Sequence, residues 1–160
     1  MPFAYHPGMA ETGQIVAIHI RPTSESPASA VDRATLVAGF GLVGDRYHSG
    51  DQQLEDPNTA VTLISREALA GLAVDTGIEL SAADSRRQIL TSGIDLNALV
   101  GRRFTVDGVL CEGVELCEPC EHLQSVTQPG VLRGLVHRGG LRAAVLSDGE
   151  IAVGGVVASQ

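Results

Sequence analysis

The sequence predicts a mainly β, single-domain fold of the barrel or curled-sheet kind, with a few short helices. Three observations carry that expectation. Asp107-Gly108 and Asp148-Gly149 each lie between apolar runs, the residue pair that tight two-residue hairpin turns favour. About seven short stretches have the composition of strands bounded by turn residues. Only one long stretch has helical periodicity, so an alternating strand and helix pattern is missing. The length of 160 residues suits one core, and the 19 glycines suit a chain with many tight turns.

Residues 1–12 read as a loose terminus and 13–160 as the domain. "GQIVAIHIRP" (13–22) alternates, with Ile15 and Ala17 on one face and Val16, Ile18 and Ile20 on the other. "TSESPASAVDR" (23–33) is small, polar and proline-bearing, a loop. "ATLVAGF" is a second strand running into the glycine-punctuated loop "GLVGDRYHSGD", which "QQLEDPN" extends; "TAVTLIS" (59–65) resumes as a strand. In "SREALAGLAVDTG", Ser65 caps a helix, Leu69, Leu72, Ala73 and Thr76 share helical spacing, and Gly77 ends it. "RRQILTSG" is a short strand and turn, and "DLNALVG" a single helical turn. "RRFTVDGVLCEGVELC" is a hairpin about Asp107-Gly108. Residues 119–125 and 130–135 read as short helices, and "LRAAVLSDGEIAVGGVV" as a closing hairpin about Asp148-Gly149.

A net charge of −8 argues against nucleic acid and anionic membranes, whose binding is driven by phosphate neutralisation. Small molecules and other proteins are the expected partners. No apolar run approaches the roughly 20 residues a spanning helix needs, and the first residues have neither a basic start nor an apolar stretch, so a cytoplasmic location is expected. All 11 basic side chains are arginine, and each offers a planar fork suited to phosphate or carboxylate.

Chemistry concentrates in "VELCEPCEHL" (114–123). Three cysteines cannot all pair within the chain. A zinc site assembled from Cys117, Cys120, His122 and either Cys111 or His137 lacks the second C-x-x-C knuckle that structural sites use. A thioredoxin-like dithiol wants a βαβ surrounding rather than hairpins. Cys111 and Cys117 fall at even spacing on one strand face and read as core thiols packed side by side. Cys120 differs, because Pro119 suits the first position of a helix and puts Cys120 in its first turn. The helix dipole there favours a thiolate, while Glu118 and Glu121 oppose it. That balance suits a metal ligand better than a free nucleophile.

Three arginine-bearing loops, "GLVGDRYHSG", "SRRQILTSG" and "HRGGLR", combine flexible backbone with guanidinium groups fit for an anion. Each also has an ordinary reading as a turn or connector. His48 and His137 are suited to acid–base work near neutral pH or to plain loop hydrogen bonding. No phosphate-binding loop, dinucleotide fingerprint or serine-hydrolase elbow is present.

Taken in order, "GLVGDRYH", "RRQILTSGIDLNALVGRRF", "GVELCEPCEHL", "HRGGLRAAVL" and "GEIAVGGVV" resemble the MOSC domain, named for the C-terminal part of molybdenum-cofactor sulfurase. The similarity runs from about Gly13 to Val157. It suggests a small stand-alone member, without the N-terminal domain of the mitochondrial amidoxime-reducing component or the aminotransferase-like domain of the sulfurase. The resemblance implies a barrel-like fold and molybdenum cofactor (molybdopterin), retained or passed on, with Cys120 as metal ligand and Cys117 beside it. It assigns Arg46 and Arg86 or Arg87 to the pterin phosphate or pyrophosphate. Many members carry asparagine where this chain has Gln88, which puts that residue's pocket role in question. His48 and Arg138 lie in matching blocks and complete the candidate cofactor-binding set. The implied activity is that of an oxidoreductase, or a component of one, reducing N-hydroxylated compounds with electrons from a separate redox partner. The alternatives are a sulfur carrier that receives a persulfide on Cys120 from a cysteine desulfurase, and a ligand-binding module without catalysis.

Overall fold

Alternation of apolar and polar residues gives strands, and their pairing in a computed structural model, which describes residues 11–23, 25–45 and 60–160, wraps them into a closed barrel. In chain order the strands are β1 (Thr12–Ile20), β2 (Ser29–Val31), β3 (Arg33–Val37), β4 (Gly41–Leu42), β5 (Val61–Ser65), β6 (Ile89–Ser92), β7 (Arg103–Val106), β8 (Val109–Leu116), β9 (Leu141–Val145), β10 (Gly149–Ala152) and β11 (Val156–Ser159). The helices are α1 (Arg66–Thr76), α2 (Glu121–Val126) and α3 (Val131–Gly134), with a 3-10 turn at Leu96–Leu99. The barrel order is β11-β7-β8-β9-β5-β6-β1, and β1 closes it by pairing antiparallel with β11, Thr12 opposite Ala158. β2 extends the sheet beyond β1, and β10-β3-β4 forms a small second sheet.

Local chemistry accounts for several elements directly. Asp107 and Gly108 both take positive φ (47° and 82°), the type I′ geometry whose twist matches the β7–β8 hairpin. The Ser65 hydroxyl accepts from the Ala68 amide (3.0 Å), and Gly77 at φ 76° donates to the Ala73 carbonyl (2.8 Å). α1 therefore starts and stops where cap and glycine place it. It carries the chain from β5 to β6, the one parallel strand pair among the described residues; such a pair needs a crossover connection.

Two apolar clusters result. The barrel interior holds Ile15, Ile18, Leu63, Phe104, Leu141 and Val157 among others. A second cluster of Leu72, Ile78, Leu123, Val131 and Leu135 seals α1, α2 and α3 together, and so fixes α2, whose N-cap is Cys120.

Four sequence expectations are corrected. Asp148-Gly149 makes no hairpin: β9 pairs with β8 and β5, whereas β10 pairs with β3 in the other sheet. The Asp148 carboxylate instead accepts from the Ala38 amide (2.8 Å), which stitches the crossing between sheets. The loop 23–33 contains β2, which pairs with the far end of β1. In β1, Ile15 and Ile18 are both buried because a bulge between Ile15 and Ala17 resets the alternation. A similar irregularity between Gly113 and Glu115 breaks β8, leaving Glu115 exposed. Cys111 and Cys117 are both buried but not neighbours, since six strand residues span roughly 20 Å. No helix among the described residues is long and apolar enough to cross a membrane.

Candidate functional site

Beyond β8 the chain is fastened at every step before it reaches Cys120. The Cys117 amide donates to the Gly140 carbonyl (2.7 Å). Glu118 accepts from the His137 amide (2.7 Å) and faces that residue's Nδ1 at 3.1 Å. Gly139 packs so closely that a Cβ there would collide with the Cys117 carbonyl and the Pro119 ring. His137, at φ 64°, accepts from the Asn97 side chain through its carbonyl (2.7 Å). Pro119 is not the first helical residue as expected: Cys120 is the N-cap of α2, extended at φ −131° and ψ 169°, with its side chain in no cap bond. Its thiol is exposed, while Cys111 and Cys117 are buried. Burial pushes the Cys111 thiol up to about 12.

The turn is tied to an arginine-bearing loop by one side chain. Arg87 donates from Nε to the Gly139 carbonyl (2.8 Å), from Nη2 to the Cys117 carbonyl (2.9 Å) and from Nη1 to the Ser85 carbonyl (3.2 Å). It therefore clamps three backbone segments. Its neighbour Arg86 sits at φ 63°, a conformation side-chain-bearing residues rarely adopt and one that recurs at functional sites. Gln88 is buried and spent at both ends: Oε1 accepts from the Thr62 amide (2.9 Å) and Nε2 donates to Asp45 Oδ2 (2.9 Å). Asp45, also buried, takes the Arg21 amide on its other oxygen (2.9 Å).

These residues enclose a small chamber lined by His19, Arg21, Asp45, Arg86, Arg87 and Gln88. Arg21, Ala28 and Arg86 also line a larger outer cleft with Glu25, Asp84 and Val126. Val126 is the last residue of α2, whose six residues extend about 9 Å from the Cys120 end. Cys120 itself does not line either cavity.

Sequence reasoning missed His19, Arg21 and Asp45. His19 is buried on β1, and its Nδ1 has no hydrogen-bond partner among the described residues. Desolvation lowers its pKa from the ordinary imidazole value, which favours the neutral ring. The only signal in the sequence was a polar ring and a cation inside an otherwise apolar alternation.

Other candidates are placed elsewhere. Arg138 lies away from the chamber, bonded to the Gly134 carbonyl (2.8 Å) and ion-paired with Asp75 (2.8 Å), and so holds α1 to α3. Arg142 faces Glu115 at 3.8 Å. His122 is exposed on α2, and Cys111 belongs to the barrel core. Among the described residues no three His, Cys, Asp or Glu side chains converge on a metal position. Arg46 and His48 lie outside the described residues.

Comparison with curated proteins gives no match. Among solved structures, the YuaD protein from Bacillus subtilis superposes with a TM-score of 0.81 at 18% identity, covering 94% of this chain and 97% of that one. YiiM from Geobacillus stearothermophilus gives 0.71 at 16% identity over 92% and 75%, and YiiM from Escherichia coli 0.66 at 16% over 92% and 69%. At such identities these similarities establish the barrel fold. The family model for the MOSC domain matches residues 43–158, starting downstream of β1 although β1 completes the barrel. With most of its length matched by that model, the chain belongs to the MOSC domain family.

Proposed function

We propose that this MOSC protein binds a molybdenum cofactor with its phosphate end at the arginines of the outer cleft and its metal end at Cys120, which lies outside that cleft and would offer a thiolate. The observation that carries the reading is the Arg87 clamp. By bonding the carbonyls of Cys117 and Gly139, it fixes the cysteine-bearing turn to the loop whose Arg86 lines the cleft. The residues suit the group chemically: an exposed, uncapped thiol is a soft ligand, and guanidinium forks match phosphate oxygens. Arg46, which the resemblance assigns to the phosphate end, stays part of this proposal and lies outside the described residues.

When bound, the metal would supply oxygen-atom and electron transfer; the chain's own residues hold and orient. Arg21 and Arg86 line the cleft together with Glu25 and Asp84, while Gln88, itself held by the Thr62 amide, donates to Asp45 in the adjoining chamber. Glu118, engaged by His137, is held by that contact beside the Cys120 turn. The activity that the family resemblance attaches to such a site is that of an oxidoreductase, or a component of one, acting on N-hydroxylated compounds with electrons from a separate protein. Metal and pterin analysis after expression in a host that makes the cofactor tests it. Wild type should retain both, Cys120→Ser should lose molybdenum, and Arg86→Ala should lose pterin. Equal molybdenum in wild type and Cys120→Ser would overturn the assignment.

The exposure of Cys120 alone also favours a sulfur-carrier reading, in which a cysteine desulfurase leaves a persulfide on it. Intact-mass analysis after incubation with a desulfurase would show one added sulfur, absent in Cys120→Ser.

A further inference from the structure

We infer that His19 is a specificity-determining residue of the anion site: its buried Nδ1 donates a hydrogen bond to one oxygen of a phosphoryl group seated between Arg21 and Arg86. The inference deepens the cofactor reading and rests on it for the class of ligand. Its own ground is an orphaned atom. Nδ1 is shut off from bulk water and has no partner among the described residues, although His19 lines a polar chamber. Buried polar groups are almost always satisfied, and those that are not mark positions awaiting a ligand or water.

Size decides how a ligand reaches it. The inner chamber has about 20 Å³, room for one water or one ligand oxygen. The outer cleft has about 350 Å³, room for the remainder of a phosphorylated molecule. The two share Arg21 and Arg86, so a phosphoryl group at the junction turns one oxygen inward and leaves the others to the arginines. Among the described residues the chamber is lined by Arg21, Arg86 and Arg87, the last bonded to three backbone carbonyls, and by Asp45, which is bonded to the Arg21 amide and to Gln88; Glu25 and Asp84 join Arg21 and Arg86 in the outer cleft. Burial favours the neutral imidazole, which carries one directed N–H donor and no charge. That donor favours an ionised phosphoryl oxygen, which accepts, over a ligand group that must itself donate.

Inorganic phosphate is the probe, titrated into the full chain in the Cys120→Ser background so that thiol chemistry plays no part. The readouts are calorimetric affinity and the nitrogen resonance of His19 Nδ1. We expect phosphate to move that resonance and His19→Leu to weaken phosphate binding about tenfold, the worth of one such bond. His19→Leu should melt no lower than its parent, because it deletes a buried unpaired group. His19→Asn, whose amide reaches the Nδ1 position, should recover most of the affinity. Three results would each overturn the inference: no phosphate uptake by the parent, an unmoved Nδ1 resonance, or undiminished binding by His19→Leu. Undiminished binding alongside Cys120-dependent molybdenum would remove His19 and leave the cofactor reading standing. Binding that depends on His19 without molybdenum uptake would do the reverse.

Discussion

Replacing Arg87 tests whether this arginine is a ligand group or a fastener. Its three bonds to the carbonyls of Ser85, Cys117 and Gly139 come from a charged donor, each worth about 1.5–3 kcal/mol when fully buried. The side chain is only half-buried, the three bonds share one group, and the released carbonyls are partly rehydrated. About 3 kcal/mol for Arg87→Ala is therefore the expected loss. For a chain of this size that lowers the melting temperature by roughly 6–12 °C. Arg87→Lys keeps the charge but replaces a three-pronged planar donor with a point, and should recover less than half of the loss. Thermal melts followed by circular dichroism measure this, with alkylation of the native protein as a second readout. Once the clamp is gone, the Cys117 turn loosens and its thiol becomes modifiable. Melting within about 1 °C of wild type for both variants, with Cys117 still protected, would refute the clamp and return Arg87 to the cofactor-binding set.

Thiol titration of the native chain should show Cys120 reacting fast and Cys111 and Cys117 only after unfolding; three equally fast thiols would contradict the burial seen here. Cys111 ionises near the ordinary thiol value of 9.0 in the unfolded chain but at about 12 in the barrel, so its contribution is intact below pH 9 and is lost as pH rises toward 12. Urea midpoints across that window should fall less for Cys111→Ala than for wild type. Gly139→Ala should push the Cys117–Pro119 backbone aside and destabilise by about 2 kcal/mol or more, measured by urea unfolding. Gln88→Asn, one methylene shorter, cannot reach both Thr62 and Asp45 and should cost about 1–3 kcal/mol in the same assay. Ser65→Ala should cost about 1 kcal/mol through loss of the α1 cap.

Much of this fold was legible where a feature is decided within a few residues. Ser65 and Gly77 mark the ends of α1, and Asp107-Gly108 its hairpin, because capping and positive φ are local requirements. What depends on distant partners was not. Asp148-Gly149 has hairpin chemistry, yet β10 finds a better partner in β3, and nothing near residue 148 encodes the Ala38 amide that its carboxylate meets. The same limit governs the site. Exposure of Cys120 follows from its own turn, but Arg87 reads as a phosphate ligand until the carbonyls it bonds, drawn from loops 30 and 52 positions away, come into view. His19 was hidden by the bulge in β1, which shifts which residues of that strand face inward.

The seam between β1 and β11 has a consequence for biosynthesis. Glu11 and Ser159, 148 positions apart, are hydrogen-bonded where the cylinder shuts. A ribosome adding about 5–20 residues per second exposes the first strand for roughly 7–30 s before its final neighbour exists. Through that interval the open edge invites pairing with other nascent chains, so holdase chaperones should raise the soluble yield more than any gain in final stability would. Linking β11 directly to β1 and opening the ring at another loop would shorten the wait.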